Sequence, residues 1–336
     1  FLLAAAMLSG CAEPPPVIAP PPAKSAPPVV RLSPRIVEMA SAYRYYMLQT
    51  TAIAPAFPDG ESVARSLRAG SAYEPAQMVK GAIAYAAVVA LQDRSFVEGV
   101  RVYAKDPAQR REVTYGLLKD PAYAVGIAGS ASAAGLVIAN LGGDAQRLYD
   151  GGKAVKQAAY DIQKQAWSKA EVPARAERLA AAKSVSVSAM AGDVAEIDRL
   201  QQASMALPTD AVSAPPATPP YSPTVTRGLA IAALAVLGEA GDANLDTLLG
   251  LMNEPNIGSC MATSKLNLYQ CLAVARPHYE DVFCLGQHAM MDTGRCVIRA
   301  AGKAEPYEAR FIPDASSVAR KMKPARPAPK KKTARS

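Results

Sequence analysis

Proline decides most of what this chain can become. There are 28 in 336 residues, and they sit in two kinds of place. Some are crowded: eight fall in 12–32 and six in the sixteen residues of 208–223. Such stretches have little to bury and cannot carry a continuous backbone hydrogen-bond ladder, so they read as linkers. Others stand singly behind a capping residue, as in Ser33-Pro34, Glu74-Pro75, Asp106-Pro107 and Asp120-Pro121. A side-chain oxygen there accepts from the first free amides, and Pro at the first helical position has no N–H to leave unpaired. Each pair therefore reads as a helix start. Half of the residues are hydrophobic, only 6% are aromatic, and Ala dominates many segments. That balance favours closely packed helices over sheets. The expected fold is all-α.

The helices expected from this punctuation run from Pro34 to about Ile53, from Asp59 to Ala69 with Gly70 closing it, and from Pro75 to Leu91. Lys105-Asp106-Pro107-Ala108 recurs as Lys119-Asp120-Pro121-Ala122, giving two successive helix starts. The second opens 121–141, which carries no charge over twenty-one residues. A bilayer span needs ~20 apolar residues. Gly126, Ser130 and Ala134 recur at four-residue spacing, as in close-packed membrane helices. Gly, Ala and Ser keep the segment only mildly apolar, so it is expected as the central helix of a soluble bundle. A membrane-inserted hairpin or an oligomer seam is the alternative. Two long helices are expected at 144–169 and 173–207. Val187, Met190, Val194 and Ile197 form a coiled-coil-like 3-4-3 seam in the second. The 208–223 linker then divides a bundle domain, 33–207, from a second helical domain, 224–313, with helices near 228–238 and 242–252.

Four of the five cysteines, Cys260, Cys271, Cys284 and Cys296, lie in one stretch of the second domain. Four cysteines allow three pairings. Helices at 261–276 and 277–291 would break at Pro277. Folding back there sets Cys271 against Cys284 and Cys260 against Cys296, a nested pair of disulfides. The layout resembles the twin-cysteine helical hairpins of the CHCH type, with ten and eleven residues between cysteines in place of nine. His278 and His288, the two histidines, fall in the same stretch, and Cys284 and His288 share a helical face. A thiolate–imidazole zinc site is the rival reading, but the short C-x-x-C pairs that mark such sites are missing. No metal and no cofactor are expected.

The ends carry an address. Residues 1–8 are almost wholly apolar, too short to span a bilayer and right for the core of a secretory signal. The run has no initiator Met and no basic residues before it, as expected of a signal peptide whose start lies upstream. Leu8-Ser9-Gly10-Cys11 resembles the lipobox of bacterial lipoproteins. That resemblance implies cleavage before Cys11 and a diacylglycerol on its thiol. Ala12, where enterobacterial lipoproteins retained at the inner membrane commonly carry Asp, leans the expectation towards the outer membrane, facing the periplasm. Residues 11–32 would then be a lipidated tether, extended at ~3.1 Å per residue. At the other end, the net charge of +8 is concentrated. Of the 37 Lys and Arg, eight lie in 320–336: Arg320, Lys321, Lys323, Arg326, Lys330, Lys331, Lys332 and Arg335. Without them 29 bases face 29 acids. Such a block is normally a disordered interaction arm, and 314–336 is expected as one. The tail has no interleaved aromatics, so nucleic acid is not the expected partner. Peptidoglycan or another acidic envelope surface is.

Chemistry leaves a weaker trace. His278-Tyr279-Glu280-Asp281 brings a base and acids together, but no Ser lies in a recognisable elbow. Glu74, Asp93 and Glu98 border an uncharged helix and are expected as caps or solvated charges, not as a catalytic carboxylate pair. The expected function is a non-catalytic envelope scaffold or assembly factor between membrane and cell wall. A homo-oligomeric subunit of a secretion or pilus-type machine is the alternative, and a cell-wall hydrolase the third.

Overall fold

The computed structural model describes residues 29–205 and 214–307. These form helices and no sheet, with single bridges at Leu32–Ala240 and Glu171–Pro277. The all-α expectation therefore holds. In chain order the helices are α1 (Pro34–Thr51), α2 (Gly60–Ser71), α3 (Pro75–Ala90), α4 (Arg94–Ala104), α5 (Pro107–Lys119), α6 (Ser130–Asp161), α7 (Ala166–Lys169), α8 (Arg175–Val187) and α9 (Val194–Met205). Then come α10 (Pro223–Val236), α11 (Leu245–Leu251), α12 (Pro255–Val274), α13 (His278–Cys284) and α14 (Thr293–Ala300). Short 3-10 turns stand at Pro121–Gly126, Ile162–Lys164 and Asp242–Asn244. A π-helical stretch, Leu285–Asp292, joins α13 to α14 in one rod.

The Pro-led starts behave as elementary chemistry requires. Glu74 accepts from the amides of Ala76 and Gln77, Asp106 from Ala108 and Gln109, and Asp120 from Ala122. Ser33, Ser222 and Glu254 do the same ahead of Pro34, Pro223 and Pro255. Asp93 caps α4 without a Pro and also accepts from Ser132 of α6.

The centre is α3, which buries twelve of its sixteen residues. It has almost no polar surface, and an all-round apolar helix needs cover on every side. It gets that cover from α1, α10 and α6. The approach to α10 is so close that a Cβ on Gly228 would sit 2.5 Å from Ala86 Cβ. This contact overturns the expected split at 208–223 into separate domains 33–207 and 224–313. Residues 29–304 belong to one packed unit with a single hydrophobic core. α10, nearly uncharged, finds its cover on α3 whatever linker precedes it. The described part of that linker is also packed: the Ala217 amide donates to the Ala131 carbonyl at 2.9 Å, and the Pro215 carbonyl lies over Gly135.

Three further expectations are corrected. Residues 121–141 are not one helix. A 3-10 turn ends at Gly126, and Gly129, at φ +83°, starts α6 in the left-handed region that glycine tolerates. Among the described residues no helix is long and apolar enough to cross a membrane. The small-residue face of α6 is covered from within, with Ala133, Ala134 and Gly135 buried. Residues 173–207 are also broken, into α8 and α9. The expected seam fails with them: Val187 and Val194 are 77% and 73% exposed, and Met190 lies in the break. Ser186 and Ser188 bond back to carbonyls four residues earlier, and Asp193 restarts the helix by accepting from the Glu196 amide. Helices 261–276 and 277–291 are real but longer, as α12 and the rod from His278 to Ala300; the break falls at Pro277 as expected.

α9 is held by charge. Arg44 of α1 reaches Asp144 of α6 at 2.5 Å and Glu196 of α9 at 3.3 Å, with its guanidinium over the Tyr85 ring. Burial pushes the Glu196 carboxyl up, but Arg199 and Arg44 outweigh it and hold it below the usual range.

Candidate functional site: the groove along α8

The nested disulfides are present: Cys260–Cys296 and Cys271–Cys284, each with 5.7 Å between Cα atoms. They staple α12 to the rod 278–300. Their inner end sets up the site. Val172 donates to the Arg276 carbonyl at 2.8 Å, so the chain before α8 is fastened to the turn at Pro277. α8 begins after Ala174, which has φ +50° and no capping side chain. A non-glycine residue in that region is strained.

α8 buries only Ala182 and Ser186 of its thirteen residues. Directional polar contacts fasten it instead. A helix ends with carbonyls that have no partner of their own, and α8 supplies donors for those of α12. Arg175 bonds the Ala275 and Ala273 carbonyls at 3.0 and 3.1 Å. Arg178 bonds the Leu272 carbonyl and forms an ion pair with Asp281. Cations at a helix C-terminus also meet its negative dipole end.

Cavities flank α8. One of about 550 Å³ lies against α2 and is walled by Ala64, Leu67, Pro173, Ala181 and Ala182, with Arg68, Arg178, His278 and Asp281 on its polar side. A second, of about 370 Å³, continues past Arg68 to Tyr45, Tyr46, Val185 and Met190. A third, of about 400 Å³, shares Met190 and reaches Lys80 and Ile197. Together they form a groove under 172–197, mostly apolar with a few convergent polar groups, the usual build of a binding site. Burial pushes Asp281 up to about 6 despite Arg178 beside it. Burial and the Arg178 charge both lower His278.

Where α12 meets α8 lies a sealed polar node. Lys265 of α12 is 4% exposed. Its Nζ donates to the Ser71 carbonyl and, at 2.9 Å, to Ser186 Oγ, and sits 3.7 Å from the centre of the Tyr73 ring. Burial pushes the amine down to about 7. Tyr73, raised to about 12 by burial, bonds Thr293, which bonds Ser264. A serine beside a neutral-capable lysine has the composition of an acyl-transfer dyad. Here Ser186 Oγ lies 2.9 and 2.6 Å from the Ser71 and Ala182 carbonyls and is buried in the last turn of α8, so it is spent on structure.

The other sequence-derived candidates scatter. His278 lines the groove, whereas His288 lies on the π-helical stretch, 2.8 Å from Asp292. Cys284 is bonded to Cys271 and has no thiolate to give a metal. Among the described residues no three His, Cys, Asp or Glu gather to hold an ion. Glu74 and Asp93 are caps, and Glu98 pairs with Arg94 on the surface. Cys11 and the basic residues of 320–336 lie outside the described residues. Lys265 and Ser186 were not singled out from sequence. One signal was available: Lys265 shares a helical face with Met261, Leu268 and Leu272, where a solvated lysine does not belong. Comparison with protein families, curated proteins and solved structures finds no match to this chain.

Proposed function

We infer that the protein is an exported, lipid-anchored envelope scaffold. A diacylglycerol on Cys11 holds it to a membrane facing the periplasm, the outer membrane by preference. The basic tail engages peptidoglycan or another acidic envelope surface. The observation that carries this reading is the pair of nested disulfides. Bonds of this kind persist in oxidising compartments and are rare in the cytosol. The lipobox-like Leu8-Ser9-Gly10-Cys11 points to the same compartment, and the neutral body makes the tail the source of net charge. The groove fits a non-catalytic role, since its Arg178 and Asp281, like the sealed Lys265 beside it, are engaged in holding α8.

Co-sedimentation with purified peptidoglycan sacculi tests the tail. The soluble chain from Ala12 onward, with and without 320–336, is spun with sacculi across a salt series. Tail-dependent pelleting that weakens with salt is expected; equal pelleting of the two forms overturns binding through the tail, and no pelleting of either sinks wall binding. Radiolabelled palmitate incorporation, lost in Cys11→Ala, tests the anchor.

A further inference from the structure

We propose that α8 is a proton-gated strap: a proton taken up at Lys265 loosens α8 from the bundle and opens the two cavities beside it into one. This does not depend on the envelope reading. Among the described residues no carboxylate lies within ion-pair distance of the Lys265 amine; it is held by the Ser71 carbonyl, Ser186 Oγ and a ring face. The ionisable groups around it are otherwise engaged. From the α2–α3 turn come Tyr73 and Glu74, whose carboxylate is turned to the amides of α3. α1 supplies Tyr46, edge-on to Tyr73, and α12 supplies Tyr269. The π-helical stretch brings His288 and Asp292, bonded to each other. α8 itself brings Lys183, over the Tyr269 ring, and Arg178, on Asp281.

α8 is the removable wall of this node. Ser186 closes one side of the amine, and Ala182 is the other residue α8 buries. The helix starts from a strained, uncapped Ala174 and has two cavities end to end beneath it. Lifting it takes Ser186 away and lets water reach the amine, whose affinity for a proton then returns towards that of an ordinary lysine, ~10.4. Closed, burial holds it near 7. Between these values the open form carries the proton and the closed form does not. Opening is therefore favoured by protonation and falls as pH rises through this window, by up to ~10-fold per pH unit. Asp281, raised to about 6, and His278, lowered from the ordinary imidazole range by burial and the Arg178 charge, also feel α8 through Arg178 but lie below the window.

Hydrogen exchange followed by mass spectrometry on the full chain, from pH 7 to 9 and corrected for base catalysis, tests the strap. Protection of 175–187 is expected to rise with pH while that of α3 stays constant. Lys265→Met should flatten the dependence, and Ser186→Ala should raise α8 exchange while keeping the slope. A flat wild-type profile overturns the proposal, as does a slope that survives in Lys265→Met. Should Lys265→Met fail to fold, reductive methylation of the wild type decides. The amine must titrate near neutrality and react no faster than 175–187 opens; titration near 10 overturns the idea.

Discussion

α3 and α8 are of similar length and are held in opposite ways. α3 is gripped by dispersion between small side chains on all sides, and α8 by guanidinium groups reaching the carbonyls of a helix end and by a buried lysine amine on Ser186. Packing of the first kind is additive, dense and blind to pH. Fastening of the second kind is directional and depends on a few protonation states. One chain thus contains a rigid centre and a releasable edge, and the difference comes from where it places Ala and Gly against where it places Arg and Lys.

Perturbations should respect that division, and urea unfolding followed by circular dichroism measures most of them. Arg44→Ala removes the partner that the buried Asp144 and Glu196 share, leaving each only an arginine of its own helix, Arg147 or Arg199, and should cost about 3–5 kcal/mol. Breaking the outer disulfide with Cys260→Ser and Cys296→Ser, a separation of 36 residues, should cost about 4 kcal/mol by loop entropy. The inner pair, separated by 13, should cost about 3 kcal/mol. Gly228→Ala forces a methyl into Ala86 and should cost about 1–3 kcal/mol. Its counterpart at the edge, Ala181→Leu, meets the 550 Å³ cavity and should change stability by less than about 1 kcal/mol. Equal losses at Gly228 and Ala181 would break the comparison. Asp281 adds a pH effect with its sign reversed from the usual carboxylate. Its folded value, about 6, lies above the ordinary one. The native state therefore keeps a proton that the unfolded chain has lost between pH 4 and 6, and stability falls as pH rises through that range. The fall should vanish in Asp281→Asn. The smallest change is expected for Val187→Ser, within about 0.5 kcal/mol, because the side chain packs on nothing.

Much of the centre was legible from sequence because its signals are local. Ser33-Pro34 and Glu74-Pro75 announce helix starts through chemistry two or three residues long. The uncharged runs within α3 and α10 announce burial, and the cysteine spacing about Pro277 announces the staple. The edge was not legible, because its determinants join distant positions. Nothing near Lys265 in the chain shows that Ser71 and Ser186 will surround it, and nothing near Arg178 shows the open carbonyls of α12. The seam at Val187 and Val194 failed for the same reason. Helical spacing states which side chains share a face, not whether a partner covers it, and serine back-bonds with Asp193 broke the helix first. The 208–223 boundary misled because Pro-rich chain can lie flat on a bundle as readily as it can separate two.

The nested staples also change how the molecule carries load. Pulled from its two ends, the chain transmits tension through the Cys260–Cys296 bond and not through the polypeptide between them. The 36-residue separation it closes never enters the path, which shortens the extended contour by ~120 Å at ~3.4 Å per residue. The same closure makes any single backbone cut between Cys260 and Cys296 silent, since the two pieces stay joined across it. Whatever pulls on this protein, or nicks it there, meets a covalent bypass before it reaches a weak point.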